Sequence, residues 1–191
     1  NCKESIIYKP RSLEPEILFN KLLNLLNIQF DANLKLKTVL CIDRINYGWM
    51  QYVDYRSCLL KEDYENYYIK IGMLLSLVFM LCGEDLHYEN IIASGRDPVL
   101  IDLETLFHPN PNICSENSLW TESIISTGLL PNWVTIEGSK IAYDTSGLGA
   151  ISNQETPNKN WVKYKLVKEQ LILKGENHRL SLAKNAPFPL S

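Results

Sequence analysis

The sequence predicts an α+β fold in which a small N-terminal lobe precedes a larger helical part. Three observations carry that prediction. Short β-branched runs flank one amphipathic helix in the first third. A longer helical pattern follows from Lys61, and behind it two apolar runs enclose a glycine-containing turn. With 191 residues, 46% hydrophobic and 21% charged, the chain is long enough to bury a real core.

The elements follow in order. Ser5-Ile-Ile-Tyr8 is apolar and β-branched, so it reads as a strand that ends at Lys9-Pro10, where proline removes a ladder donor. Leu13, Ile17, Leu18, Leu22, Leu25 and Leu26 recur at helical spacing and predict a helix over Glu14 to Asn27. Thr38 to Ile42 and Tyr47 to Val53 are two further strands, which makes residues 1–60 a small α+β unit. Glu62, Asp63 and Glu65 then open a helix whose stripe is Tyr68, Ile71, Leu74, Leu75 and Val78. Gly83 is the expected left-handed residue at its end.

Residues 61–107 hold the densest polar segment, Glu84-Asp-Leu-His-Tyr-Glu-Asn90, followed by a hairpin: Ile91-Ile-Ala93, a turn at Gly95 and Arg96, then Pro98-Val-Leu-Ile-Asp102. This register sets Asp102 opposite Asn90 and gathers Asp85, His87, Asn90 and Asp102 at the mouth of a cleft. Residues 108–191 carry fewer signals: an apolar stretch at Ser123 to Val134, a polar one at Ser152 to Asn160, and a strand or short helix at Tyr164 to Leu173.

The bulk properties exclude some partners. A formal charge of −3 gives no clustered basic surface for nucleic acid. Met73 to Cys82, the most apolar run, is shorter than the roughly 20 residues a transmembrane helix needs. Five cysteines without a C-x-x-C pair fit a reduced, cytoplasmic setting. The chain opens on Asn1 close to a strand, so it is expected to be an internal piece of something longer.

Phosphoryl transfer requires a cation on the nucleotide phosphates, oxygen ligands for Mg²⁺ and a carboxylate beside the attacking hydroxyl. Lys9, Asp85, Asn90 and Asp102 supply these groups in the chain order of a kinase active site: Lys on an early strand, helix, Asp…Asn loop, hairpin, second Asp. The spacing D-x-H-x-x-N is that of lipid kinases more than of protein kinases. Neither a G-x-G-x-x-G nor a P-loop is present.

Five ordered blocks, Tyr8-Lys-Pro-Arg-Ser12, Tyr47-Gly-Trp49, Asp85 through Gly95, Pro98 through Phe107, and Thr127-Gly-Leu-Leu-Pro131, resemble the dehydratase domain of LanM-type (class II) lanthipeptide synthetases. The resemblance implies a lipid-kinase-like two-lobed fold, of which this chain holds part. It implies ATP and Mg²⁺ as cofactors and a ribosomally made precursor peptide as partner, with Asp85, His87 and Lys9 in catalysis. Phosphorylated Ser and Thr would then lose phosphate to give dehydroalanine and dehydrobutyrine. The family's elimination Asp and His precede the Lys9 strand and are absent here, its elimination Arg and Thr are not placed, and the zinc site of its cyclase domain is missing.

Each assignment stands beside a plainer one. His87 either orients Asp85 or acts in proton transfer. Lys9 is set on the nucleotide phosphates by the resemblance; without it, a solvated basic edge is the simpler reading. Arg11 shares the phosphate through its fork. Asn90 and Asp102 are metal ligands, and Glu104, two residues on along an extended strand, joins them, supports them or is a surface carboxylate. Tyr47, Trp49 and Tyr52 line an adenine pocket or belong to the core. His108 and His178 have no metal-type spacing, and the lone G-x-G in Ser146-Gly-Leu-Gly149 is too common to mark a phosphate loop. Three other functions share these residues: a lipid or small-molecule phosphotransferase, a non-catalytic pseudokinase-like peptide binder, and an iron or zinc site on Asp85 and His87, for which no further ligand is in reach.

Overall fold

The computed structural model describes residues 5–107, 123–135, 142–152, 154–156, 162–167, 170–175, 178–179 and 183–187. Strand β1 (Ile6–Lys9) and strand β2 (Cys41–Asp43) are the edges of a three-stranded antiparallel sheet whose centre is β3 (Gly48–Gln51). Tyr8 and Ile42 both face Trp49 across it. One face buries Met50 with Leu13, Val39, Val53 and Val99. The other leaves Ile6, Tyr8, Ile42 and Trp49 exposed.

Helix α1 (Glu14–Leu26) starts where proline and two acids in the first turn suit a helix N-terminus. Its cap comes from β2: the Leu13 N–H and Ser12 hydroxyl donate to Asp43 Oδ1 at 2.7 and 3.1 Å. The expected strand from Thr38 is displaced to Cys41 for a visible reason. Leu36 and Val39 spend their backbone groups on side chains of α1 and its C-cap instead of a ladder. Asn27 brackets Leu36 with two hydrogen bonds of 2.7 and 2.8 Å, and Asn20 brackets Val39 at 2.7 and 3.1 Å.

Helix α2 (Lys61–Met80) buries Tyr67, Lys70, Ile71, Leu74, Leu77 and Val78 against Phe19 and Leu23 of α1 and against Leu86, Ile91 and Leu100. Its stripe is rotated from the expected one, since Tyr67 is buried and Tyr68 exposed. The helix end also differs. Cys82 (φ 53°) occupies the left-handed position, with Gly83 N–H donating to Val78 O at 2.9 Å and Cys82 N–H to Phe79 O at 3.2 Å, the paired bonds of a Schellman end. Gly83 is needed for space: a Cβ there would lie 2.4 Å from Leu106 Cδ2 and 2.8 Å from Val78 Cγ1.

Strands β4 (Ile91–Ser94) and β5 (Asp97–Leu100) form the expected hairpin, with Gly95 left-handed in its turn. The hairpin packs on α2 and is fixed there by Lys70, only 1% exposed, whose Nζ lies 2.5 Å from Asp97 Oδ1. The apolar stretch after Ser123 forms a short 3-10 turn at Ile124–Thr127 closed by left-handed Gly128. Pairs β6 (Val134–Thr135) with β7 (Ala142–Tyr143), and β8 (Glu155–Thr156) with β11 (His178–Arg179), are brief. Tyr164 to Leu173 is two paired strands, β9 (Val162–Val167) and β10 (Gln170–Gly175). Among the described residues no helix is long and apolar enough to cross a membrane.

Candidate functional site

The hairpin carries Asn90 and Asp102 at its two open ends. Its register pairs Ile91 with Leu100, and Ile101 N–H donates to Asn90 O at 2.8 Å, so Asn90 faces Ile101 and not Asp102 as expected. Asp102 is one residue further on and left-handed (φ 64°), which turns the chain out of the sheet. The alternation argument for Glu104 fails for the same reason, because β5 stops at Leu100. Glu104 nevertheless reaches the site through a turn and is 3.2 Å from Arg11 Nε.

The loop before the hairpin is tightly prescribed. Asp85 is also left-handed (φ 59°), a conformation that costs a non-glycine residue about 1–2 kcal/mol and persists only where the surroundings impose it. Its carbonyl accepts from His87 N–H and from Asn90 Nδ2, both at 2.9 Å. That second bond commits the amide NH₂ of Asn90 and leaves its oxygen for a cation. His87 Nδ1 accepts from Glu89 N–H at 3.3 Å, so the neutral ring carries its proton on Nε2.

Later segments brace this loop from behind. Leu86 N–H donates to Thr127 O at 2.9 Å and Tyr88 N–H to Thr145 O at 3.1 Å. Thr105 Oγ1 donates to Glu84 O at 2.5 Å. A Cβ on Gly147 would stand 2.8 Å from Leu86 O and 2.6 Å from Ile91 Cδ1, while one on Gly149 would strike the carboxylate of buried Asp144. The lone G-x-G thus lets the chain pass close behind the Asp85 loop.

The basic side comes from β1 and the residues after it. Lys9 Nζ is 3.2 Å from Asp102 Oδ1, and Arg11 Nη2 hydrogen-bonds the same oxygen. Burial pushes the Asp102 carboxyl up, but the Arg11 hydrogen bond and the charge of Lys9 outweigh it and hold the group below the usual carboxylate range. Arg11 also pairs with Glu16 of α1, Nη2 to Oε1 at 2.6 Å and Nη1 to Oε2 at 3.2 Å. Glu16 is 3% exposed and accepts the Leu103 N–H at 3.2 Å.

Lys9, Asp85, His87, Asn90, Asp102 and Glu104 line one open cavity of about 330 Å³, joined by Glu89, Ile101 and Thr105. Six of the seven sequence-predicted site residues meet there. Arg11, the seventh, stands outside the lining and is committed to three carboxylates. Trp49 and Tyr52 line a separate groove with Ile6, Leu40 and Ile42. With Tyr47, whose ring stacks on Tyr8, they are exposed, so the three form neither the core nor a wall of the Lys9 cavity. The reason is the pleat: Lys9 and Trp49 point to opposite faces of the sheet.

The amide oxygen of Asn90 and the carboxylate of Asp102, with Glu104 beside them, are hard oxygen donors of the kind a magnesium ion takes. Among the described residues no cluster of three or more His, Cys, Asp and Glu stands ready for a metal, so Asp85 and His87 have no iron or zinc set around them. His108 lies outside the described residues, as does the side chain of His178. Glu16, Asp43 and Thr105 are the site-building residues that sequence reasoning missed. Glu16 left one usable signal, a carboxylate three residues from Leu13 and from Phe19, on the buried stripe of α1.

Residues 2–190 match the family described as Domain of unknown function (DUF4135). The chain belongs to that family. It is also 34% identical, over 90% of its length, to the lacticin 481/lactococcin biosynthesis protein LcnDR2 of Lactococcus lactis subsp. lactis, and covers 21% of that relative. The LanM-type kinship expected from the five sequence blocks is therefore shown, and the cavity around Asp85 and Asp102 lies within the span that the family match covers.

Proposed function

We propose that this chain is part of a kinase-like enzyme of lanthipeptide biosynthesis that phosphorylates Ser and Thr of a precursor peptide with ATP, ahead of phosphate elimination to dehydro residues. One observation carries the reading: a lysine, two aspartates, an asparagine and a histidine from three separate segments converge on one open cavity. The name of the Lactococcus relative supports the pathway, and the order of Lys9, Asp85, Asn90 and Asp102 along the chain supports the enzyme type.

Lys9 holds the nucleotide phosphates, replacing Asp102 as its partner once phosphate enters. Asp85 accepts the proton of the attacking hydroxyl, and His87, placed by Glu89 N–H, orients it. Asn90 and Asp102, with Glu104 beside them, would hold a magnesium ion, which when bound would supply charge neutralisation for the transferred phosphoryl group. Ile101 is the apolar residue of the cavity lining, while Leu86 and Leu103 anchor the two polar segments in the core behind it.

The test separates phosphorylation from elimination. In the intact protein, Asp85→Asn and Asp102→Asn are expected to leave precursor peptide unmodified by mass spectrometry, and Lys9→Met to reduce phosphorylation far more than it disturbs folding. Phosphopeptide accumulating in an aspartate variant would assign these carboxylates to elimination. ATP consumed on a lipid or small alcohol but on no peptide would replace the substrate class.

A further inference from the structure

Arg11 is gripped from two sides. On one, Glu16 takes both Nη atoms; on the other, Asp102 takes Nη2 and Glu104 takes Nε, while Ser12 O accepts from Nη1 at 2.8 Å. A guanidinium cannot shed its charge, so it acts at this place as a permanent counter-cation. Glu16 explains its position. A carboxylate on the buried stripe of a helix is costly without partners, and this one has two: Arg11 and the N–H of Leu103, the residue directly after Asp102. One buried side chain thereby fixes both the cation and the backbone that carries the acceptor.

We propose that Arg11 is the resident counter-cation of Asp102 and Glu104, and that it yields Asp102 Oδ1 to the divalent ion entering with nucleotide, while Glu16 retains the guanidinium within reach. Glu16 is a positioning residue, and the proposal rests on the phosphotransfer reading above. Arg11 and a divalent ion compete for one oxygen. Anything that strengthens the hold of Arg11 on Asp102 weakens the ion, and removing Arg11 together with its buried partner strengthens it.

The two variants are predicted to move in opposite directions. Glu16→Gln preserves volume but removes the charge that draws Arg11 away from Asp102. Its midpoint for divalent-ion uptake should rise roughly tenfold, the scale of one charge-assisted hydrogen bond. The double variant Arg11→Met with Glu16→Met leaves no buried charge unpaired, and its midpoint should fall below wild type. The measurement uses the intact protein with a non-hydrolysable ATP analogue and Mn²⁺ as the probe, free Mn²⁺ being read by electron paramagnetic resonance and folding by circular dichroism.

Opposite shifts support the proposal. A higher midpoint in both variants would overturn it, because Arg11 would then be holding nucleotide phosphate. Unchanged midpoints with fewer binding sites would also overturn it, since a purely structural role lowers the competent fraction alone. If the wild type takes up no Mn²⁺ with the analogue, the phosphotransfer reading itself fails, an outcome distinct from the other two.

Discussion

Replacing Cys82 by glycine and Gly83 by alanine tests the end of α2 with two neighbouring residues that should respond in opposite ways. Cys82 holds φ 53°, a conformation whose Cβ costs about 1–2 kcal/mol. Glycine removes that cost and gives back about 0.4–1 kcal/mol through the freer unfolded chain. Since the cysteine is exposed, little burial is lost, and the net gain from Cys82→Gly is about 0.5–1 kcal/mol. Gly83→Ala puts a Cβ 2.4 Å from Leu106 Cδ2 and 2.8 Å from Val78 Cγ1, inside the core. Overpacking of this kind costs about 1–3 kcal/mol. For a chain of this length each kcal/mol moves the midpoint by about 2–4 °C, so thermal unfolding should show Cys82→Gly rising by a few degrees and Gly83→Ala falling by about 2–12 °C. If Cys82→Gly destabilises and Gly83→Ala is neutral, the Schellman assignment is refuted.

Two other predictions concern buried groups. Lys70→Met removes the cation from a pair whose aspartate keeps some solvent contact, and it should cost about 2–3 kcal/mol in urea unfolding, below the usual range for breaking a fully buried pair; a neutral result would mean that Asp97 finds water instead. Burial, with Glu16 adding to it, pushes the Cys41 thiol up to about 11. At pH 8 its thiolate fraction is on the order of 10⁻³, so iodoacetamide should label exposed Cys82 well before Cys41 or buried Cys58 in peptide mapping, and equal labelling would contradict the burial of Cys41.

What the sequence disclosed were the features that chemistry writes locally. Helix α1 was bounded within a residue because its apolar spacing, its proline and its acids agree. The hairpin followed from one glycine turn between apolar runs, and Asp85, His87, Asn90 and Asp102 followed from the order of polar groups around it, whereas Lys9 was set at the site by the family resemblance. The misses share another cause. Asp43 caps a helix that starts thirty residues earlier, Lys70 meets Asp97, and Glu16 meets Leu103; such pairings depend on the closed fold and leave no local period. Tyr67 and Tyr68 are adjacent and identical, so only packing decides which one enters the core. At Cys82 and Gly83 the usual preference for glycine gave way to the space that Leu106 and Val78 take up.

The hairpin that ends in Asn90 and Asp102 behaves as a calliper. Four rungs of one ladder set the gap between its tips, and the bend at its far end is nailed to α2 through Lys70 and Asp97. Lys9 and Arg11, by contrast, ride on or just after β1, which belongs to a different sheet. Glu16 bridges the two, since it grips Arg11 and the N–H of Leu103 at once, and a displacement of that sheet therefore pulls on the Asp102 tip as well as on the charge that faces it.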